Sequence, residues 1–118
     1  MEQYTFVVDV DGTLCSSPLE IPQDFDLENV EPISRVVEKV REVHSLGHKV
    51  IIFTARGMKT TWDDPEKLKN KVLPTLTRWL QKNQVPYDEI ILGKPWGENV
   101  YYVDDRSLLP DEFINFSL

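Results

Sequence analysis

The sequence predicts an α/β fold, a mostly parallel central sheet with helices packed against it. Two observations carry that expectation: apolar runs alternate with amphipathic helical patterns along the whole chain, and each of four apolar runs passes directly into a cluster of polar, chemistry-bearing residues. In 118 residues with 41% hydrophobic content there is room for one core, so residues 1–118 are expected to form a single domain.

The first apolar run, residues 5–10, reads as a strand that ends in Asp9 and Asp11. Side chains alternate along a strand, so carboxylates two residues apart share a face, an arrangement suited to a divalent cation and a phosphate. Residues 11–30 contain Gly12, Pro18 and Pro22 and keep no period, so they read as a loop too short for a separate domain. Ile33, Val36, Val37, Val40 and Val43 recur at helical spacing behind Pro32, which predicts a helix over residues 32–45 closed by Gly47. Residues 49–54 are almost uniformly apolar, as in a buried parallel strand, and end in Thr54. Asp64-Pro65 supplies an N-cap and a first-turn proline for a helix carrying Leu68, Val72, Leu76, Trp79 and Leu80 to about residue 82. Pro74 lies inside that pattern and should kink or divide it. Residues 89–92 and 100–103 are further strand candidates, followed by Gly93-Lys94-Pro95 and Asp104-Asp105-Arg106.

Composition narrows the partners. A formal net charge of −7 opposes non-specific attraction to nucleic acid or anionic membrane, so an anionic substrate needs a local site. A single cysteine, Cys15, rules out an internal disulfide framework; the N-terminus has neither a basic nor an apolar leader segment, and no apolar run approaches spanning length. The expected setting is the cytoplasm. Cys15 reads as a small packed residue, His44 and His48 as structural or solvated, and Trp79 as core. Trp62 and Trp96 fall in loops beside the strand ends, where an aromatic ring can stack on a substrate. Arg56, Lys59 and Arg106 are candidates for a second anionic group.

In chain order, VDVDGTL, FTAR, GKP and YYVDDR resemble the four motifs of the haloacid dehalogenase-like superfamily, and specifically its phosphatase branch. GHKVIIFTARGM and GKPWGENVYYVDDR resemble more narrowly a group of small capless members associated with capsule or surface-polysaccharide synthesis. The resemblance implies a three-layer Rossmann-like sandwich without a cap domain, and a Mg²⁺-dependent phosphomonoester hydrolase. Asp9 is then the nucleophile that forms an aspartyl-phosphate, Asp11 the general acid and base, Thr54 a donor to a phosphate oxygen, and Lys94 the charge that stabilises the phosphoryl group in transfer. Gly12, Thr13, Ala55 and Arg56 belong to the implied phosphate site. Mg²⁺ is implied at Asp9, at the Asp11 backbone carbonyl, and at Asp105 or Asp104, with Asp105 favoured. An open site suits a sugar phosphate or nucleotide-linked metabolite, or closure by a homo-oligomeric neighbour. The alternatives are a phosphotransferase on the same scaffold and a non-catalytic phosphate- or partner-binding module.

Overall fold

The computed structural model describes residues 2–16, 27–61 and 63–118, and the expected substrate contact of Trp62 lies outside them. Strands β1 (Thr5–Val8), β2 (Lys49–Thr54) and β3 (Glu89–Leu92) form a parallel sheet in the order β1-β2-β3. Helices α1 (Ser34–Ser45), α2 (Met58–Thr61), α3 (Pro65–Lys82) and α4 (Pro110–Ile114) complete the described elements, with a 3₁₀ turn at Leu27–Asn29. Phe6 stands opposite Val50, and Val8 opposite Ile52. Ile52 in turn stands opposite Ile90, and Thr54 opposite Leu92. This face meets Val36, Val37, Val40 and Val43 of α1 and Leu68, Val72, Leu76, Trp79 and Leu80 of α3 in one contiguous core. On the other face Val7 and Ile91 are exposed, while Ile51 and Phe53 are half-buried. Among the described residues no helix is long and apolar enough to cross a membrane.

The expected boundaries shift where local hydrogen bonding competes with the ladder. β1 stops at Val8 because the Val10 amide turns back onto its neighbour's carboxylate, at 2.8 Å from Asp9 Oδ1. The Val10 carbonyl then gathers the amides of Thr13, Leu14 and Cys15 at 3.1, 2.9 and 3.2 Å. α1 begins at Ser34 rather than residue 32: Ile33 is extended (φ −86°, ψ 95°) and its amide is committed to the Leu14 carbonyl at 2.8 Å. Gly47 ends α1 as expected, at φ +92°, a conformation glycine adopts without steric cost.

Asp64 caps α3, its side chain accepting from the Lys67 amide at 3.1 Å. Pro74 does not divide this helix, which runs unbroken from Pro65 to Lys82. Pro74 is exposed, and so is Asn70, whose carbonyl loses its i+4 donor, so water can serve that carbonyl and the interruption costs little. Trp79 is fully buried and spends its indole N–H on the Val30 carbonyl at 2.8 Å, tying α3 to the chain that enters α1.

Residues 100–103, expected as a strand, do not join the sheet. They have the β-branched and aromatic composition of a strand and no ladder partner among the described residues, and strand propensity without cross-strand packing does not make a strand.

Candidate active site

The carboxyl ends of three parallel strands converge. Lys94 follows β3 through Gly93, a glycine at φ +84°, and its amide donates to the Thr54 carbonyl at 3.1 Å. That turn aims the Lys94 side chain back across β2, so its ammonium lies 3.5 Å from Asp9 Oδ2. It also lies 5.9 Å from the centre of the Phe53 ring and 4.2 Å from that of Tyr102. The Tyr102 hydroxyl donates to the Pro95 carbonyl, which fixes the ring over the lysine.

Asp9 is partly enclosed. Burial is the strongest influence on its carboxyl and raises its pKa; the Val10 amide and Lys94 pull it back, and the neighbouring charge of Asp11 adds to the rise. Burial together with the nearby Asp9 charge pushes the Tyr102 phenol up as well.

Asp11 points to a different partner. Arg56 Nε lies 3.2 Å from Asp11 Oδ2 and Arg56 Nη2 2.9 Å from Asp11 Oδ1, a bidentate fork. The guanidinium is buried, Nη2 also approaches Cys15 Sγ at 3.7 Å, and Nη1 is buried with no hydrogen-bond partner. Cys15 is fully buried and its thiol contacts Asp11 Oδ1 at 3.6 Å; burial pushes its pKa up to about 12, so it stays an inert thiol. Thr54 is fully buried, its hydroxyl accepting from the Arg56 amide at 3.0 Å while keeping a proton to donate.

Asp9, Asp11, Thr54, Lys94 and Arg56 therefore gather at one end of the sheet, with Ala55 on the chain between Thr54 and Arg56. Arg56, expected at a phosphate or second anion, is spent on Asp11. The Gly12 amide donates to the Cys15 carbonyl at 2.8 Å and the Thr13 amide to Val10, so both serve the loop rather than facing outward to an anion. Asp104 and Asp105 are exposed, and among the described residues no group of three or more His, Cys, Asp or Glu side chains is placed to hold a metal ion. The Asp104 carboxylate accepts instead from the Arg106 amide at 2.9 Å, which holds its pKa below the ordinary value. Lys59 and Arg106 are exposed, Trp96 is half-exposed, and His48 is buried on the far side of the sheet, its Nδ1 accepting from the Tyr4 amide at 3.1 Å.

The contact of Tyr102 with Lys94 was not legible in the spacing, because the two residues share no motif, whereas the period of two from Thr54 to Arg56 does signal a common direction at the strand end. Cavities among the described residues lie elsewhere. The one of about 240 Å³ is lined by Arg41, Lys82, Asn83 and Gln84, and Arg41 is already engaged there with the Gln84 and Asn83 carbonyls at 2.9 and 2.6 Å.

No family model matches the sequence, and no curated protein matches it. A Vibrio cholerae protein whose crystal structure was solved as a structural-genomics target is similar at a TM-score of 0.87 and 43% identity, over 98% of this chain and 91% of that one. The chain belongs to the family of that protein. The kinship carries the α/β fold over nearly the whole chain.

Proposed function

We propose that this protein is a phosphomonoester hydrolase of the haloacid dehalogenase-like type, built on a capless Rossmann-like core, that acts on a sugar phosphate or related metabolite of surface-polysaccharide synthesis in the cytoplasm. The observation that carries the reading is the Asp9–Lys94 approach of 3.5 Å at the carboxyl ends of parallel strands, with Thr54 and Asp11 beside it. In an open parallel sheet this is where ligands collect.

In this reading an Asp9 oxygen attacks phosphorus in line, the phosphorus–ester oxygen bond breaks, and the leaving oxygen takes a proton from Asp11. Water then attacks the aspartyl-phosphate, gives its proton to Asp11, and releases inorganic phosphate and free Asp9. Lys94 neutralises charge gathering on the phosphoryl oxygens and Thr54 donates to one of them. Both Asp11 oxygens accept from Arg56 in the structure, so one of them must leave that fork before it can carry the proton.

Mg²⁺ is the cofactor this class of reaction implies, and when bound it would neutralise the approach of two anions. Among the described residues one chain supplies Asp9 and the Asp11 carbonyl, while Asp104 and Asp105 stand apart from them.

The test is turnover of p-nitrophenyl phosphate and a panel of sugar phosphates with and without Mg²⁺, beside Asp9→Asn. The expected result is hydrolysis that requires the added cation and vanishes in a folded Asp9→Asn protein. Undiminished hydrolysis by that variant would refute the mechanism.

A further inference from the structure

We propose that two copies of this chain exchange residues 100–105, each copy adding Tyr101–Val103 as a fourth, parallel strand on the outer edge of β1 in the other. Each exchange would deliver Asp104 and Asp105 to the Asp9–Asp11 site of the neighbouring copy.

The chain holds two unpaired halves of one ladder. β1 is an edge strand, and among the described residues no strand covers its outer side, where its backbone donors and acceptors are open to another chain. Val7 in that strand is 59% exposed. The segment Val-Tyr-Tyr-Val at 100–103 has the composition most favoured in strands, yet Tyr101 is 87% and Val103 97% exposed, and it pairs with no strand among the described residues. Leaving two large apolar side chains almost wholly in water is costly for one copy and is relieved by pairing in two.

Its own fold holds the segment off its own edge. The Tyr102 hydroxyl is bonded to Pro95 and the ring sits on Lys94, which follows β3, two strands away from the free side of β1. Gly93, Pro95 and Gly97 in the connection provide the hinge on which such exchanges turn.

A second copy is the occupant these features select, because the edge lacks a strand and the same chain displays one. Parallel addition, matching the direction of the other three strands, ends the incoming strand beside Asp9, where the described residues of one copy bring no further carboxylate into a metal-holding group. That last placement rests on the hydrolase reading; the exchange itself rests on the unpaired strand and edge.

Two measurements on the full chain test it. Sedimentation equilibrium should give a dimer for the wild type and a monomer for Val103→Pro, which removes a ladder donor from a residue 97% exposed and should leave the circular dichroism of the fold unchanged. A monomeric wild type, or a dimer that Val103→Pro leaves intact, overturns the exchange. For the site, inactive Asp9→Asn and inactive Asp104→Asn/Asp105→Asn chains are unfolded together, refolded and assayed with p-nitrophenyl phosphate. A mixed dimer holds one fully wild-type site, so about a quarter of wild-type activity should return on random pairing. No recovery, with the wild type active, overturns the shared site. A wild type inactive on every phosphate ester refutes the hydrolase reading instead, and the masses still decide the exchange.

Discussion

Arg56→Met tests whether the guanidinium under Asp11 supports the fold as well as the site. The Arg56 side chain is 3% exposed and that of Asp11 25%. Removing one partner of a buried pair costs about 3–5 kcal/mol, because the remaining charge is left without a counter-ion. Asp11 keeps a quarter of its side chain in water, which places the cost near the lower end, about 3 kcal/mol. Against this, Arg56 Nη1 is buried without a partner, and removing that donor returns about 1 kcal/mol of desolvation. The loss of the pair wins, by about 2 kcal/mol net, or roughly 8 °C in Tm for a domain of this size. Urea unfolding followed by far-ultraviolet circular dichroism measures it, with midpoint and slope fitted separately. Combining Arg56→Met with Asp11→Asn should cost less than the sum of the single changes by about 1–3 kcal/mol, since neither variant strands a charge that the other still needs. Arg56→Lys keeps the charge but loses the fork and should fall between wild type and Arg56→Met. A single variant within about 0.5 kcal/mol of wild type, or strictly additive changes, would refute the pairing as a stabilising contact.

Asp9→Asn should make the protein more stable at neutral pH. The pKa of Asp9 is raised above 3.8 in the folded state, so folding favours its protonated form; its contribution is fully present below the unfolded value and is lost as pH rises through the folded one. The advantage of the variant should therefore shrink towards about pH 3.5, and a variant less stable than wild type at pH 7 in urea melts would contradict the burial argument. Gly57→Ala should cost about 2 kcal/mol, because Gly57 has φ +82° and an added Cβ would stand 2.6 Å from Val72 Cγ2 and 2.9 Å from Leu68 Cδ1. Thermal melting reads it, and an unchanged Tm would mean that α3 yields at that contact.

The parts of the fold that were legible in the sequence are those decided by local chemistry. Residues 49–54 and 89–92 are strands at the expected positions because short apolar runs flanked by polar turns have few other uses. Asp64-Pro65 marked the start of α3 because cap and first-turn proline act within one turn. What escaped depends on distant partners. Residues 100–103 have the same propensity as a strand but pair with no strand among the described residues, and no window of sequence contains that information. Arg56 was legible as a charge near the strand end, but not as the mate of Asp11, which is 45 residues away. The amides of Gly12 and Thr13 were expected to face an anion because glycine permits the turn; their commitment to Cys15 and Val10 follows from how tightly that turn closes.

The phenol of Tyr102 is a built-in optical reporter. Its ionisation is displaced upward in part by the charge on Asp9, and it sits on the lysine that contacts that carboxylate. Anything that changes the charge at Asp9, a proton or a cation reducing it or a covalent phosphoryl group adding to it, changes the field at this ring. Neutralising Asp9 should therefore ease the ionisation of this phenol.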